Sequence, residues 1–152
     1  MTLPKECCEK TNVSRIKVEE YGRKAVILNE QRAEHIKIKV DGCAIKGSES
    51  KSADWIISRG GFGDVIIELK GKDTEHAAKQ IHATASYWQS NNYRIGKIAA
   101  LIVSTQYPKA NTAMRKAQEE FRKTYQGPLH VVTKNYEGKL EHLFSSNGPH
   151  KL

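Results

Sequence analysis

The sequence lacks the signatures of several common protein classes. No apolar run approaches the roughly 18 residues of a membrane-spanning helix, and the first residues lack the apolar core of a secretory signal. The glycine-rich stretch RGGFGD, residues 59–64, is not a phosphate-binding P-loop, because no Gly-Lys-Ser/Thr follows it. There is no internal repeat and no low-complexity segment. These absences argue against membrane, solenoid and P-loop proteins.

Cysteine is scarce, and its spacing is uninformative for metal binding. The chain has 3 cysteines, Cys7, Cys8 and Cys43, without the C-x-x-C spacing of a structural zinc site. So few cysteines fit a reducing cytoplasm better than a disulfide framework. We therefore expect a cytoplasmic protein with free thiols.

Length and charge indicate one basic domain. A chain of 152 residues can bury a core of its own but is too short for two typical domains. We expect flexible tails at residues 1–13 and 145–152. Lys and Arg number 25 against 17 Asp and Glu, which gives a net charge of +8. Such an excess favours contact with a polyanion such as nucleic acid.

Charged residues interrupt the most apolar part of the chain. The runs Trp55–Ile57 and Val65–Ile67 flank a glycine-rich segment, which is the pattern of two strands joined by a hairpin loop. With the turn centred on Gly61, Asp54 lies directly opposite Glu68. Cβ atoms at opposed positions are roughly 4.5 to 5.5 Å apart, and like charges there are destabilising. A shared proton or a divalent cation would offset that repulsion.

A lysine joins this pair of acids. Side chains alternate along a strand, so Lys70 points to the same face as Glu68. Two carboxylates can hold Mg²⁺ or Mn²⁺, and a nearby ammonium can orient an attacking water and stabilise phosphoryl charge. The simpler alternative is that Asp54 begins a strand while Glu68 and Lys70 form a solvated ion pair.

An Asp followed, after about a dozen residues, by Glu-x-Lys at the end of an apolar strand resembles the PD-(D/E)xK nuclease superfamily. The resemblance implies the restriction-endonuclease-like α/β fold, a central mixed β-sheet flanked by helices. It implies Asp54, Glu68 and the backbone carbonyl of Leu69 as ligands of Mg²⁺ or Mn²⁺, with Lys70 as the water-orienting base. Ala53 departs from the family pattern, since it stands where the superfamily name has proline.

The implied function is a metal-dependent nuclease that hydrolyses phosphodiester bonds, with DNA as the expected substrate. A non-catalytic nucleic-acid-binding or regulatory protein on the same fold is the alternative, because fold alone does not decide activity. A chain this short without a separate specificity domain would rely on nucleic-acid shape, a second copy or a targeting protein.

Further candidate residues surround this motif. Residues 73–91 predict a helix with Asp73 as N-cap and a buried stripe. Gln80 on this helix matches a Gln of the superfamily's exonuclease-like branch, whereas Tyr87 lies further along than that branch places its tyrosine. Asp41 and Glu34 are second-tier candidate acids, although an Asp before Gly42 also suits a turn. The expected phosphate contacts are Arg59, Lys72 and Lys79.

The remaining elements predict a mixed sheet. Ile36, Ile38 and Val40 alternate as in a strand, whereas residues 14–24 are ambiguous between strand and helix before a strand at 25–29. Residues 98–103 form a continuous apolar run typical of a central strand, and a helix over 112–125 and a strand at 129–133 follow. Alternation of strands and helices in this second half predicts parallel pairing there.

Overall fold

A computed structural model describes residues 3–46, 52–69, 73–105 and 112–146. Lys70 and Lys72 lie outside the described residues. A 3₁₀ turn at Lys5–Cys7 precedes nine strands and three α-helices in the described part of the chain. In order along the chain these are β1 (Cys8–Thr11), β2 (Arg15–Glu20), β3 (Arg23–Leu28), β4 (His35–Lys39), β5 (Trp55–Arg59), β6 (Gly63–Leu69), α1 (Thr74–Ser90), β7 (Lys97–Val103), α2 (Thr112–Tyr125), β8 (Leu129–Val132), β9 (Tyr136–Gly138) and α3 (Leu140–Leu143).

The central sheet is mixed, as the sequence predicts. Its 6 strands run in the order β1-β4-β5-β6-β7-β8. The first three neighbouring pairs are antiparallel, whereas β6, β7 and β8 are parallel. The two crossovers of the parallel half contain α1 and α2, so the expected α/β class is confirmed.

Each face of this sheet buries a separate apolar cluster, because successive side chains of a strand point to opposite faces. Ile56 and Ile66 pack with α1 and α2 on one face. Ile57 and Val65 pack on the other face with α3 and with a second sheet of order β2-β3-β9. The helices α1 and α2 therefore lie together on one side. The sequence did not predict the small sheet opposite them.

The helices α1 and α2 form where the sequence predicts them, whereas α3 was not predicted. Asp73 caps α1 by accepting a hydrogen bond from the His76 backbone N–H at 2.9 Å. The predicted stripe of α1 is buried throughout, at Ala77, Ile81, Ala85 and Trp88. In the described part of the chain, no helix combines the length and apolarity needed to cross a bilayer.

The N-terminal segment corrects two expectations. Residues 8–11 are not a flexible tail, because they pair antiparallel with β4 as an edge strand of the central sheet. Cys7 and Cys43 are joined by a disulfide, so only Cys8 is free among the described residues. The cysteine count could not reveal this pairing, since the partners are 36 residues apart. The free-thiol basis for a cytoplasmic location is removed, and the location itself stays a prediction. At the other end, the expected tail is described only as far as residue 146.

Candidate active site

A polar cavity of about 330 Å³ opens at the end of the central sheet where β5 begins and β6 ends. Three elements contribute to it, namely the sheet, the helix α1 and the β2–β3 hairpin. Its lining residues are Tyr21, Arg23, Asp41, Asp54, Glu68, Leu69 and Gln80. Of the described residues that the sequence assigns to metal binding or catalysis, the cavity contains all except the second-tier acid Glu34, which is exposed elsewhere.

The predicted register of the hairpin is confirmed. Trp55 pairs with Ile67, so continuing the ladder by one residue places Asp54 opposite Glu68. The turn is also where expected, with Gly61 at a φ of 76°. Glu68 is only 1% exposed, and its carboxyl group interacts with that of Asp54 through a side-chain hydrogen bond. A buried acid and a half-buried acid therefore meet at the cavity.

The same register places a different pair at the other end of the hairpin. Ser58 lies opposite Asp64, and the Ser58 hydroxyl donates a hydrogen bond of 2.5 Å to Asp64 Oδ1. Asp64 is as buried as Glu68, and burial raises its pKa above the ordinary value. The Ser58 hydroxyl group gives Asp64 a hydrogen-bond donor across the hairpin, so no cation is needed to offset a second acid there. The acid-on-acid arrangement at Asp54 and Glu68 is thus specific to the cavity end.

Burial also raises the pKa of the Asp54 carboxyl group above its usual value. The Leu69 backbone N–H opposes this shift by donating to Asp54 Oδ2 at 2.9 Å, and the hydrogen bond with Glu68 opposes it further. Glu20 raises the pKa and Lys39 lowers it, and these two residues form an ion pair with each other. These hydrogen bonds hold the Asp54 carboxyl group in place. They do not fully offset the cost of burying its negative charge, so its pKa stays raised.

Helix α1 fixes the segment that leads into Asp54. The Ala53 backbone N–H donates a hydrogen bond of 2.7 Å to Thr84 Oγ1, and the Gln80 amide nitrogen donates to the Ser52 carbonyl at 3.1 Å. Proline has no backbone N–H and could not make the first of these bonds. Alanine at position 53 therefore allows the helix to anchor the segment that carries Asp54.

We expect Thr84→Val to lower the free energy of unfolding by about 1 to 3 kcal/mol, because it leaves the Ala53 N–H without its acceptor in a dry environment. Both residues are fully buried, so water cannot replace the hydroxyl group. Urea denaturation measures the change. Thr84→Ser, which keeps the hydroxyl group, should recover most of the loss. A Thr84→Val protein as stable as the wild type would show that this bond does not anchor the segment.

The oxygen atoms around the cavity fit a hard divalent cation. Gln80 Oε1 is buried and has no hydrogen-bond partner among the residues that the structure describes. It lines the cavity with the carboxylates of Asp54 and Glu68 and with Leu69. Carboxylate, amide and backbone carbonyl oxygens are the ligands that Mg²⁺ prefers, and Mg²⁺ is commonly held by one or two carboxylates with water and phosphate completing the shell.

The described residues do not supply a complete set of side-chain ligands for a metal ion. Within the four described ranges, no group of three or more His, Cys, Asp and Glu side chains is close enough to hold an ion. A two-carboxylate site therefore depends on other oxygens for its remaining ligands. Such a site would select an ion that keeps part of its water shell, which is the behaviour of Mg²⁺ rather than Zn²⁺.

The other predicted residues divide into two groups. Asp41 lines the cavity and also sits in the predicted turn, where its Oδ1 accepts a hydrogen bond of 3.1 Å from the Ser52 hydroxyl. Arg59 and Lys79 do not line the cavity. Arg59 is at the far end of β5 and pairs with Glu141 at 2.7 Å, whereas Lys79 borders a groove between α1 and α2. These two expected phosphate contacts are therefore not part of this site.

The β2–β3 hairpin supplies cavity residues that the sequence reading missed. Tyr21 and Arg23 lie at its tip, and the segment from Glu19 to Lys24 is strand and turn, with no helix. The usable signal was the alternation of Ile16 and Val18 on one side of Gly22 and of Ala25 and Ile27 on the other. A glycine between two alternating runs indicates a hairpin, but it does not reveal where the tip will dock.

Comparison of the chain with protein-family models, with curated proteins and with solved structures finds no match. The likeness to the PD-(D/E)xK superfamily therefore rests on the sequence motif of Asp54, Glu68 and Lys70.

Proposed function

We propose that the protein is a metal-dependent nuclease that hydrolyses phosphodiester bonds, with DNA as the expected substrate and Mg²⁺ or Mn²⁺ as the cofactor. One observation carries the proposal. Asp54 and Glu68 are opposed across a buried hairpin at the edge of a polar cavity. A pair of opposed acids is costly to fold, and a bound cation offsets that cost.

The residues have distinct roles in this proposal. Asp54, Glu68 and the Leu69 carbonyl would hold the cation, and Gln80 Oε1 would supply a further oxygen, directly or through water. When bound, the cation neutralises charge on the phosphate and lowers the pKa of water. Lys70, as the resemblance implies, orients the attacking water and stabilises the charge that develops on the phosphoryl group.

The overall charge supports the choice of a polyanionic substrate. The chain carries a net charge of +8, although the cavity contains three acids and a single cationic side chain among its described residues. A phosphate could approach through the basic exterior, but it would meet repulsion inside the cavity. A divalent cation cancels the net negative charge of these side chains, which is why we assign binding of the reactive phosphate to the metal-loaded form.

The test is an incubation of the purified protein with supercoiled, linear and single-stranded DNA and with RNA. Each substrate is combined in turn with Mg²⁺, Mn²⁺ or EDTA. We expect cleavage of DNA with either metal and none with EDTA. Binding to nucleic acid without cleavage under any metal condition would reject the nuclease and favour the non-catalytic alternative.

A further inference from the structure

The tip of the β2–β3 hairpin carries an exposed aromatic ring at the mouth of the cavity. Tyr21 is 94% exposed, and yet it lines the same cavity as Asp54 and Glu68. Tyrosine is enriched among the few residues that dominate the energy of binding interfaces. The structure gives this tyrosine no packing role that would explain it.

The backbone at the tip is unfavourable for tyrosine. Tyr21 has a φ of 50° and Gly22 a φ of 78°, the positive pair of a two-residue turn in which Asn-Gly is the preferred sequence. A bulky residue at positive φ is uncommon, because its Cβ crowds the backbone. Tyrosine at this position is unfavourable for the turn and packs against nothing in the described part of the chain, so it does not stabilise the fold. Its presence is better explained by a role in binding.

Arg23 faces the cavity two residues further on. Its Nε is buried and has no hydrogen-bond partner among the described residues. It is the one arginine or lysine that lines the cavity in the described part of the chain. A guanidinium group in this position suits a phosphate, which it can bind through two parallel hydrogen bonds.

The tip is held beside the sheet. Glu20, the last residue of β2, forms an ion pair with Lys39 of β4. The Lys39 ammonium also lies over the ring of Trp55, 4.9 Å from its centroid. Trp55 directly follows Asp54, so the hairpin tip is linked to the strand that carries the candidate ligand.

We propose that Tyr21 and Arg23 form a nucleotide clamp, in which Arg23 binds a phosphate next to the cavity and the Tyr21 ring stacks on an unpaired base. The substrate class is then single-stranded nucleic acid, or a duplex with an unpaired end or flap. Bases inside an intact duplex cannot offer a face to the ring, whereas any unpaired base can stack on an aromatic side chain. The proposal rests on the proposed nuclease function for its biological meaning, but its binding test does not require cleavage.

The test is a fluorescence titration in EDTA of a single-stranded DNA 12-mer with one 2-aminopurine, and of the same sequence in a blunt duplex. Stacking should quench the 2-aminopurine, and the wild type should bind the single strand at least about fivefold more tightly than the duplex. Tyr21→Asn suits the turn better and removes the ring, so it should lose at least about fivefold of the single-strand affinity and leave duplex binding unchanged. Tyr21→Trp should retain the affinity and the quenching.

Arg23→Gln tests the phosphate contact through salt dependence. It should reduce the slope of log affinity against log salt by about one for the single strand. Lys17→Gln, which removes the same charge further along the hairpin, should leave that slope closer to the wild-type value. Equal effects of the two substitutions would show only general charge attraction and would overturn the role given to Arg23.

The failure of the clamp is distinguishable from that of the nuclease. Tyr21→Asn that binds the single strand as tightly as the wild type, or that weakens single strand and duplex equally, overturns the clamp even if the protein cleaves DNA. Tyr21-dependent binding in EDTA supports the clamp even if the wild type cleaves nothing with Mg²⁺ or Mn²⁺.

Discussion

Glu68→Gln is expected to abolish detectable metal-dependent cleavage and to weaken Mn²⁺ binding by at least about 10- to 100-fold. Loss of residues that merely orient metal ligands already has effects of that size. Glu68 is proposed as a ligand itself, and the neutral amide removes the charge that attracts the cation. Calorimetric titration with Mn²⁺ and nicking of supercoiled DNA measure the two effects.

The matched control is Asp64→Asn on the same hairpin. Asp64 lies on the same face as Glu68 and is equally buried, but it faces Ser58 and does not line the cavity. Four residues along a strand separate the two acids by roughly 13 Å. Asp64→Asn should therefore leave Mn²⁺ affinity and nicking near wild-type values. Equal losses in the two variants would mean that any buried acid of the hairpin matters only for folding.

Lys70→Ala is expected to lower the rate of cleavage by about 10²- to 10⁴-fold, the range typical of a lost general acid-base group. It should leave Mn²⁺ binding intact or strengthen it, because removing a neighbouring positive charge removes its repulsion of the cation. Single-turnover nicking at saturating Mn²⁺ gives the rate, and calorimetry gives the affinity.

Lys70→Arg separates charge from proton transfer. Arginine keeps the positive charge but does not give up a proton near neutral pH, so it should remain slow if the lysine acts as a base. Recovery of most of the rate in Lys70→Arg would assign an electrostatic role to this position. A Lys70→Ala protein that cleaves as fast as the wild type would remove Lys70 from the mechanism.

The central hairpin could be predicted from sequence because its signals are local. Two apolar runs of strand-forming residues surround glycines, and Gly61 marks the turn centre, so the pairing of Asp54 with Glu68 follows by counting. The helix α1 was equally accessible, since Asp73 and the buried stripe from Ala77 to Trp88 are contained in one periodic segment.

The remainder depends on contacts between distant segments. Strand β9 has only 3 residues, which is too short for a recognisable sequence pattern. Its partner β3 lies more than 100 positions earlier in the chain. The docking of Tyr21 and Arg23 at the cavity depends on how the small sheet packs against the large one. The anchoring bond from Ala53 to Thr84 spans 31 residues and involves a backbone donor that any residue except proline supplies.

The metal centre can be tested most directly by locating Mn²⁺ through anomalous X-ray diffraction from crystals grown or soaked with the ion. We expect a peak in the cavity, with carboxylate oxygens of both Asp54 and Glu68 about 2.0 to 2.6 Å from the ion. The peak should be missing in crystals of Glu68→Gln prepared in the same way. Wild-type crystals with no peak between these two residues, at a Mn²⁺ concentration that supports cleavage, would contradict the proposal that this acid pair is the metal centre.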